Sequence, residues 1–287
     1  MNDDLNEFLE GWAFDPELPS ARRITTADGR VMVQLRVDMG LLQMEPEGRP
    51  DGARPHGAES ALAYYQQLER DGKMPETLSR EICAELLREA MQFCARAQAY
   101  QALEDWPRLY DDCEHVLDLV DLISDLAEND EDAWHADQLY PGVRLSHAIA
   151  AATIARDAAR LSRARTIVEQ AIADIARFYR EVREDVGGDD PSIGSPADAY
   201  DAAPPPPEIQ SLQLMLDELE EERPKTREEN LRKALERALA KEDYERAAAI
   251  RDQLNALRAP PSPRTSTSPG KGKARKPSPP TDTGGSP

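Results

Sequence analysis

Four polar side chains crowd one short stretch of backbone punctuation. Between Glu45 and Gly57, Pro46, Gly48, Pro50, Gly52, Pro55 and Gly57 alternate with Arg49, Asp51, Arg54 and His56. Those four groups could gather a small ligand or a peptide, as a sensor or an enzyme would. Gly/Pro spacing of this kind also makes a turn-rich connector, whose arginines pair with an acidic body. The sequence favours the connector. The remaining reactive side chains form no constellation. Cys83 and Cys94 are eleven apart, about three helical turns, and so share one face, the apolar one, as core thiols do. Cys113 and His115 lie two apart on a helix and point in different directions. No Cys-x-x-Cys pair occurs, so no zinc site is expected. The histidines at 56, 115, 135 and 147 are scattered, and no phosphate-cradling GxxxxGK[ST] loop is present. Asp111-Asp112 and Glu131-Asp132 read as solvated helix faces. These residues predict a protein that is not an enzyme, with no cofactor and no metal.

The elements around them are mostly helical. Ile24-Thr25-Thr26-Ala27 and Val31 to Val37 flank Asp28-Gly29, a strong short-range cue for a β-hairpin. Val31, Val33, Leu35 and Val37 alternate onto one face, and Leu41 to Met44 is a candidate third strand. From Ala58 the apolar spacing becomes helical. Ala61 to Leu68 should end at Gly72. Leu78 to Leu103 carries Ile82, Leu86, Ala90, Phe93, Ala97 and Tyr100 inward. Pro107 opens a helix reaching Leu126, and Val143–Ala159 and Ser162–Val186 follow. Small residues, a polar turn and aliphatic spacing in these pairs are weakly similar to tetratricopeptide hairpins. However, the offset from Leu117 to Ile172 is 55 residues, against about 34 for that repeat.

Charge sets further bounds. The 287 residues carry 55 acidic and 35 basic side chains, a net −20. A body this acidic is a poor non-specific ligand for nucleic acid, which is bound by neutralising phosphates. The stretch after Ala259 holds five basic residues against Asp282, so the rest carries −24. Three cysteines do not make a disulfide framework. The start, Met1-Asn2-Asp3-Asp4, lacks a basic and apolar leader, and no apolar run approaches the roughly 20 residues of a membrane span. The expected location is cytoplasmic, without a membrane.

The most informative stretch is Leu231 to Leu257. Leu231, Leu235 and Ala238 or Leu239 recur at helical spacing. So do Tyr244, Ala247, Ile250 or Arg251, Leu254 and Leu257. Lys241-Glu242-Asp243 separates the two runs, and Asp243 is suited to cap the second. So short a connection makes an antiparallel hairpin. Ala247 and Ala248 allow the helices to approach closely. Two helices of this length are marginal alone, so the hairpin calls for a partner.

Glu242-Asp243-Tyr244-Glu245, Ala247-Ala248, Ile250-Arg251-Asp252 and Leu254 resemble the UVR motif, the helical hairpin at the C-terminus of the excision-repair subunit UvrB and within UvrC. The resemblance implies docking without chemistry. Its partner would be a protein with a UVR motif or a helical surface, or a second copy in a homodimer. The motif also occurs in chaperone-protease components and their adaptors. The Cys-rich zinc modules of some such adaptors are missing here. Leu235, Leu239, Tyr244, Ala247, Ile250, Arg251 and Leu254 are the expected partner-binding residues: the large ones as seam, Ala247 for close approach, Arg251 at the rim.

The whole chain then reads as mainly α. Residues 1–57 form a small β-hairpin and Gly/Pro loop region, and 58–186 a tetratricopeptide-like helical bundle. A Pro-rich linker at 187–207 leads to an amphipathic helix at 208–224. The separate UVR hairpin follows at 225–258, then a disordered basic tail at 259–287. The expected function is a non-enzymatic adaptor or scaffold, with regulation of nucleotide excision repair through UvrB or UvrC as the alternative.

Overall fold

The computed structural model describes residues 5–16, 18–186 and 204–222, and near the C-terminus 231, 232, 235, 238, 239 and 243–258. Most of the expected linker (187–203) and all of the basic tail (259–287) lie outside the described residues. The chain divides into two compact units, Met1–Arg223 and Pro224–Pro287.

In the first unit a short helix α1 (Leu5–Leu9) precedes three antiparallel strands, β1 (Ala21–Thr25), β2 (Val31–Val37) and β3 (Gly40–Met44), in the order β1-β2-β3. Thr25 pairs with Val31, and Gly29 takes φ +86 in the turn between them, a conformation cheap only for glycine. The expected third strand is β3, with Val33 opposite Met44. Val33, Leu35 and Met44 are buried against Ala97, Tyr100, Leu109 and Cys113. A sheet this small is marginal by itself, and this packing anchors it. On the N-terminal side, the Arg22 guanidinium lies 4.1 Å over the Trp12 ring and donates to Gln34 Oε1.

The helices follow as α2 (Ala61–Arg70), α3 (Arg80–Ala102), α4 (Trp106–Leu126), α5 (Asp130–Asp137), α6 (Tyr140–Asp157) and α7 (Leu161–Val186). Gly72, at φ +67, ends α2 as expected: its amide donates to Glu69 O, and that of Lys73 to Leu68 O. The corners after α3 and α6 place Glu104 (φ 55) and Ala159 (φ 57) in the left-handed region without glycine. The short α5 was not anticipated. Asn129 caps it by accepting from the Asp132 amide, with Asp130, Glu131 and Asp132 in its first turn.

Two cores run through the bundle. One joins α2, α3, α4 and α5 around Leu86, Phe93, Leu119 and Ile123. The other joins α6 and α7 to α8 (Pro207–Glu222) through Ala148, Val168, Ile175, Ile209, Leu212 and Leu219. Thus the amphipathic helix expected at 208–224 is α8 and lies on α6 and α7. The tetratricopeptide-like resemblance is not confirmed. Helices α3, α4, α6 and α7 have 23, 21, 18 and 26 residues, so a pair of them outruns a repeat of about 34. Among the described residues, no helix is long and apolar enough to cross a membrane.

In the second unit, Leu231, Arg232, Leu235, Ala238 and Leu239 are helical, and α9 (Tyr244–Arg258) follows. Asp243 caps α9: its carboxylate accepts from the Arg246 amide, 3.1 Å away.

Candidate functional site

The hairpin seam is built from small and aliphatic residues. Ala238, Ala247, Ile250 and Leu254 are buried together, with Leu231 and Leu235 half-buried against them. Of the expected partner-binding residues, Leu235, Ala247, Ile250 and Leu254 therefore serve the hairpin's own packing. Leu239 and Tyr244 do not join them. Ala238, the alternative to Leu239, takes the inward position beside Ala247. Leu239 is 50% exposed and Tyr244 68%. Arg251 is exposed as well, on the rim. The hairpin thus presents two large apolar side chains that its own fold leaves uncovered.

The loop after the sheet is arranged differently. Arg49 is almost fully buried, its Nε 3.1 Å from Asp51 Oδ1 and its Nη1 3.6 Å from Glu89 Oε2. Asp51 accepts from the Ala53 amide and from Gln92 Nε2 at 2.9 Å each. Burial alone would raise its pKa, but these donors and Arg49 hold it below the ordinary value. His56, at φ 52, stacks on Tyr64 with ring centroids 4.2 Å apart and sits 3.2 Å from Glu85 Oε2. Arg54 is exposed. Among the described residues, no hydrogen bond or ion pair joins Arg54 or His56 to the Arg49–Asp51 pair. The structure brings two of the four candidate ligand residues together and leaves the other two apart.

Sequence reasoning missed the polar network beneath that loop. Glu89 is fully buried on α3. Its carboxylate accepts from the Ala61 and Leu62 amides, the otherwise unpaired donors at the start of α2, at 2.7 and 3.1 Å. It also meets His115 Nε2 at 3.0 Å, and the His115 ring stacks on Phe93. Burial would raise the Glu89 carboxyl, but His115 and the two amides together pull it below its usual value. Two turns on, Arg96 grips Asp112 with both Nε and Nη2 at 2.9 and 2.6 Å. Its Nη1 donates to the carbonyls of Glu45 and Gly48, and Tyr100 Oη donates to that of Pro46. These side chains clamp the loop and border a pocket of about 310 Å³.

Asp112 corrects the reading of Asp111-Asp112 as a solvated pair: it is buried, and burial raises its carboxyl against the pull of Arg96. Asp132 is buried too, because it accepts from Asn129 Nδ2 at the start of α5. A signal for the network was present. Glu89 and Arg96 are seven apart and lie on the stripe that carries Leu86, Ala90, Phe93 and Ala97.

Cys83 and Cys113 are buried, and Cys94 is partly so. Burial pushes the Cys94 thiol up to about 11, far from a reactive thiolate. Among the described residues, no three His, Cys, Asp or Glu side chains group as a metal site would.

Comparison with known families places a motif on the second unit. Residues 228–259 match the family of the UvrB/uvrC motif, UVR. The match covers the hairpin and none of the bundle, so the chain carries a UVR motif beside a helical body. No curated protein and no solved structure gives a significant match.

Proposed function

We propose that this chain is a non-enzymatic adaptor that docks a protein partner, or a second copy of itself, through its UVR hairpin. The observation that carries this reading is the exposure of Leu239 and Tyr244 on a hairpin in which Leu231, Leu235, Ile250 and Leu254 pack together. Two short helices with so small a core are marginal, and covering those side chains would stabilise both the hairpin and the complex. Arg251 at the rim adds register. The loop at 45–57 serves as a connector, because Arg49 and Asp51 spend their hydrogen bonds on each other and on α3.

The test is affinity capture from native lysate with the full chain, against a Leu239→Asp/Tyr244→Asp variant. Both positions are exposed, so the hairpin should keep its helicity. Partners, or a dimer by light scattering, should be lost with the variant. Identical partners and the same oligomeric state with both baits would overturn the proposal.

The motif match itself favours one narrower reading, regulation of nucleotide excision repair. Purified UvrB or UvrC should then bind the full chain and not the variant. Failure of both to bind would remove the repair reading and leave the adaptor reading standing.

A further inference from the structure

A groove of about 560 Å³ lies along α6 and α7, with Tyr110 of α4 at its side. This volume is in the range of small-molecule sites. Its floor is apolar, from Ala151, Ile154 and Ile167, and Ile154 is 38% exposed there. Arg160 and Arg163 line the end where α7 begins. Four of the five other described arginines on these helices have carboxylate partners: Arg144 and Arg177 meet Asp174, Arg156 holds Glu222, and Arg165 holds Glu169 and Glu220, while Arg180, outside the groove, has none among the described residues. Among the described residues, Arg160 and Arg163 form no ion pair, even with Asp157 one turn back. In a chain of net charge −20, two unpaired guanidiniums beside one apolar groove are a local inversion of charge.

His147 lines the same groove on α6, its ring tilted against Tyr110 with centroids 4.4 Å apart. Arg144 Nη1 lies 3.5 Å from His147 Nδ1. A guanidinium only donates, so Nδ1 accepts and the ring proton sits on Nε2. Burial, and then Arg144, hold the ring below its ordinary pKa, so it is neutral. Nε2 is enclosed without a hydrogen-bond partner, so His147 serves the groove as an uncharged wall.

We propose that this groove binds a small amphipathic anion, its apolar body on Ile154 and Ile167 and its carboxylate or phosphate head between Arg160 and Arg163. The amino end of α7 favours the same sign of charge. This site is independent of the UVR hairpin.

Calorimetric titration of the full chain with decanoate, decyl phosphate and decanol tests it. At least one of the two anions should saturate a single site and bind about tenfold tighter than decanol, the worth of a charge-assisted hydrogen bond. The tighter of the two identifies the head as carboxylate or phosphate. Arg160→Gln/Arg163→Gln should abolish that preference while circular dichroism stays unchanged. Arg70→Gln/Arg180→Gln, an equal charge change on exposed positions outside the groove, should leave binding as it was. Absence of saturable anion binding, equal affinity for decanol, or an unaltered Arg160/Arg163 variant would each overturn the proposal.

Discussion

The helical body and the UVR hairpin treat charged side chains in opposite ways. The body buries charge and answers it: Glu89, Arg96 and Asp112 have essentially no exposure, yet each makes two or more hydrogen bonds. The hairpin buries no charged side chain among its described residues, and it leaves Leu239 and Tyr244 exposed. The body also leaves large apolar side chains uncovered, Met39 at 91%, Leu18 at 69% and Leu214 at 67% exposure, so exposure alone does not separate the two units. Their interiors do: the body rests on buried ion pairs and extended cores, whereas the described seam of the hairpin is Ala238, Ala247, Ile250 and Leu254, and two short helices are marginal alone.

The largest test of that contrast removes one member of the buried network. Glu89→Ala would leave Arg49 and His115 facing an empty site and two α2 amides unpaired, a loss of about 3–5 kcal/mol in urea unfolding of the body. The same carboxylate sets an acid limit. Its folded pKa is lowered, so its stabilisation is complete above the unfolded value of about 4.3 and disappears as pH falls through the folded value. The urea midpoint of the body should drop below about pH 4, and Glu89→Gln should flatten that dependence.

A smaller effect is expected in the hairpin. Ile250→Ala should cost about 2 kcal/mol locally and leave the urea midpoint of the body unchanged; a shift of the body would break the division between the two units. The smallest change is a gain. Ala159 holds a left-handed conformation at the α6–α7 corner, so Ala159→Gly should stabilise the body by about 0.5–1 kcal/mol, read as a rise in melting temperature.

Much of this architecture is legible in the sequence, because periodicity reports which face is apolar. The stripe from Ile82 to Tyr100 gives α3, Asp28-Gly29 gives the first turn of the sheet, and the residues around Tyr244 give the motif. Charge deceives the same reading. Glu89, Arg96 and Asp112 look like solvated residues because their partners lie 16 to 51 positions away, some of them on backbone that only the fold brings near. The short α5 is hidden for a different reason. Its stability comes from a cap and an acidic first turn, and eight residues are too few to show a period. In the hairpin, spacing alone leaves Ala238 and Leu239 as alternatives, and the fold buries the smaller.

Helix α8 has a consequence for the fate of the chain after cleavage. It rejoins α6 and α7 through Ile209, Leu212 and Leu219, with Tyr179–Glu208 at one end and Arg165–Glu220 at the other. Burying three aliphatic side chains is worth roughly 1.5–3 kcal/mol apiece. A protease that cut between residues 187 and 203 would therefore sever the covalent link without immediately separating the pieces. The hairpin, and any cargo it held, would stay on the bundle by non-covalent grip, and its release would follow the off-rate of α8 rather than the rate of the cut.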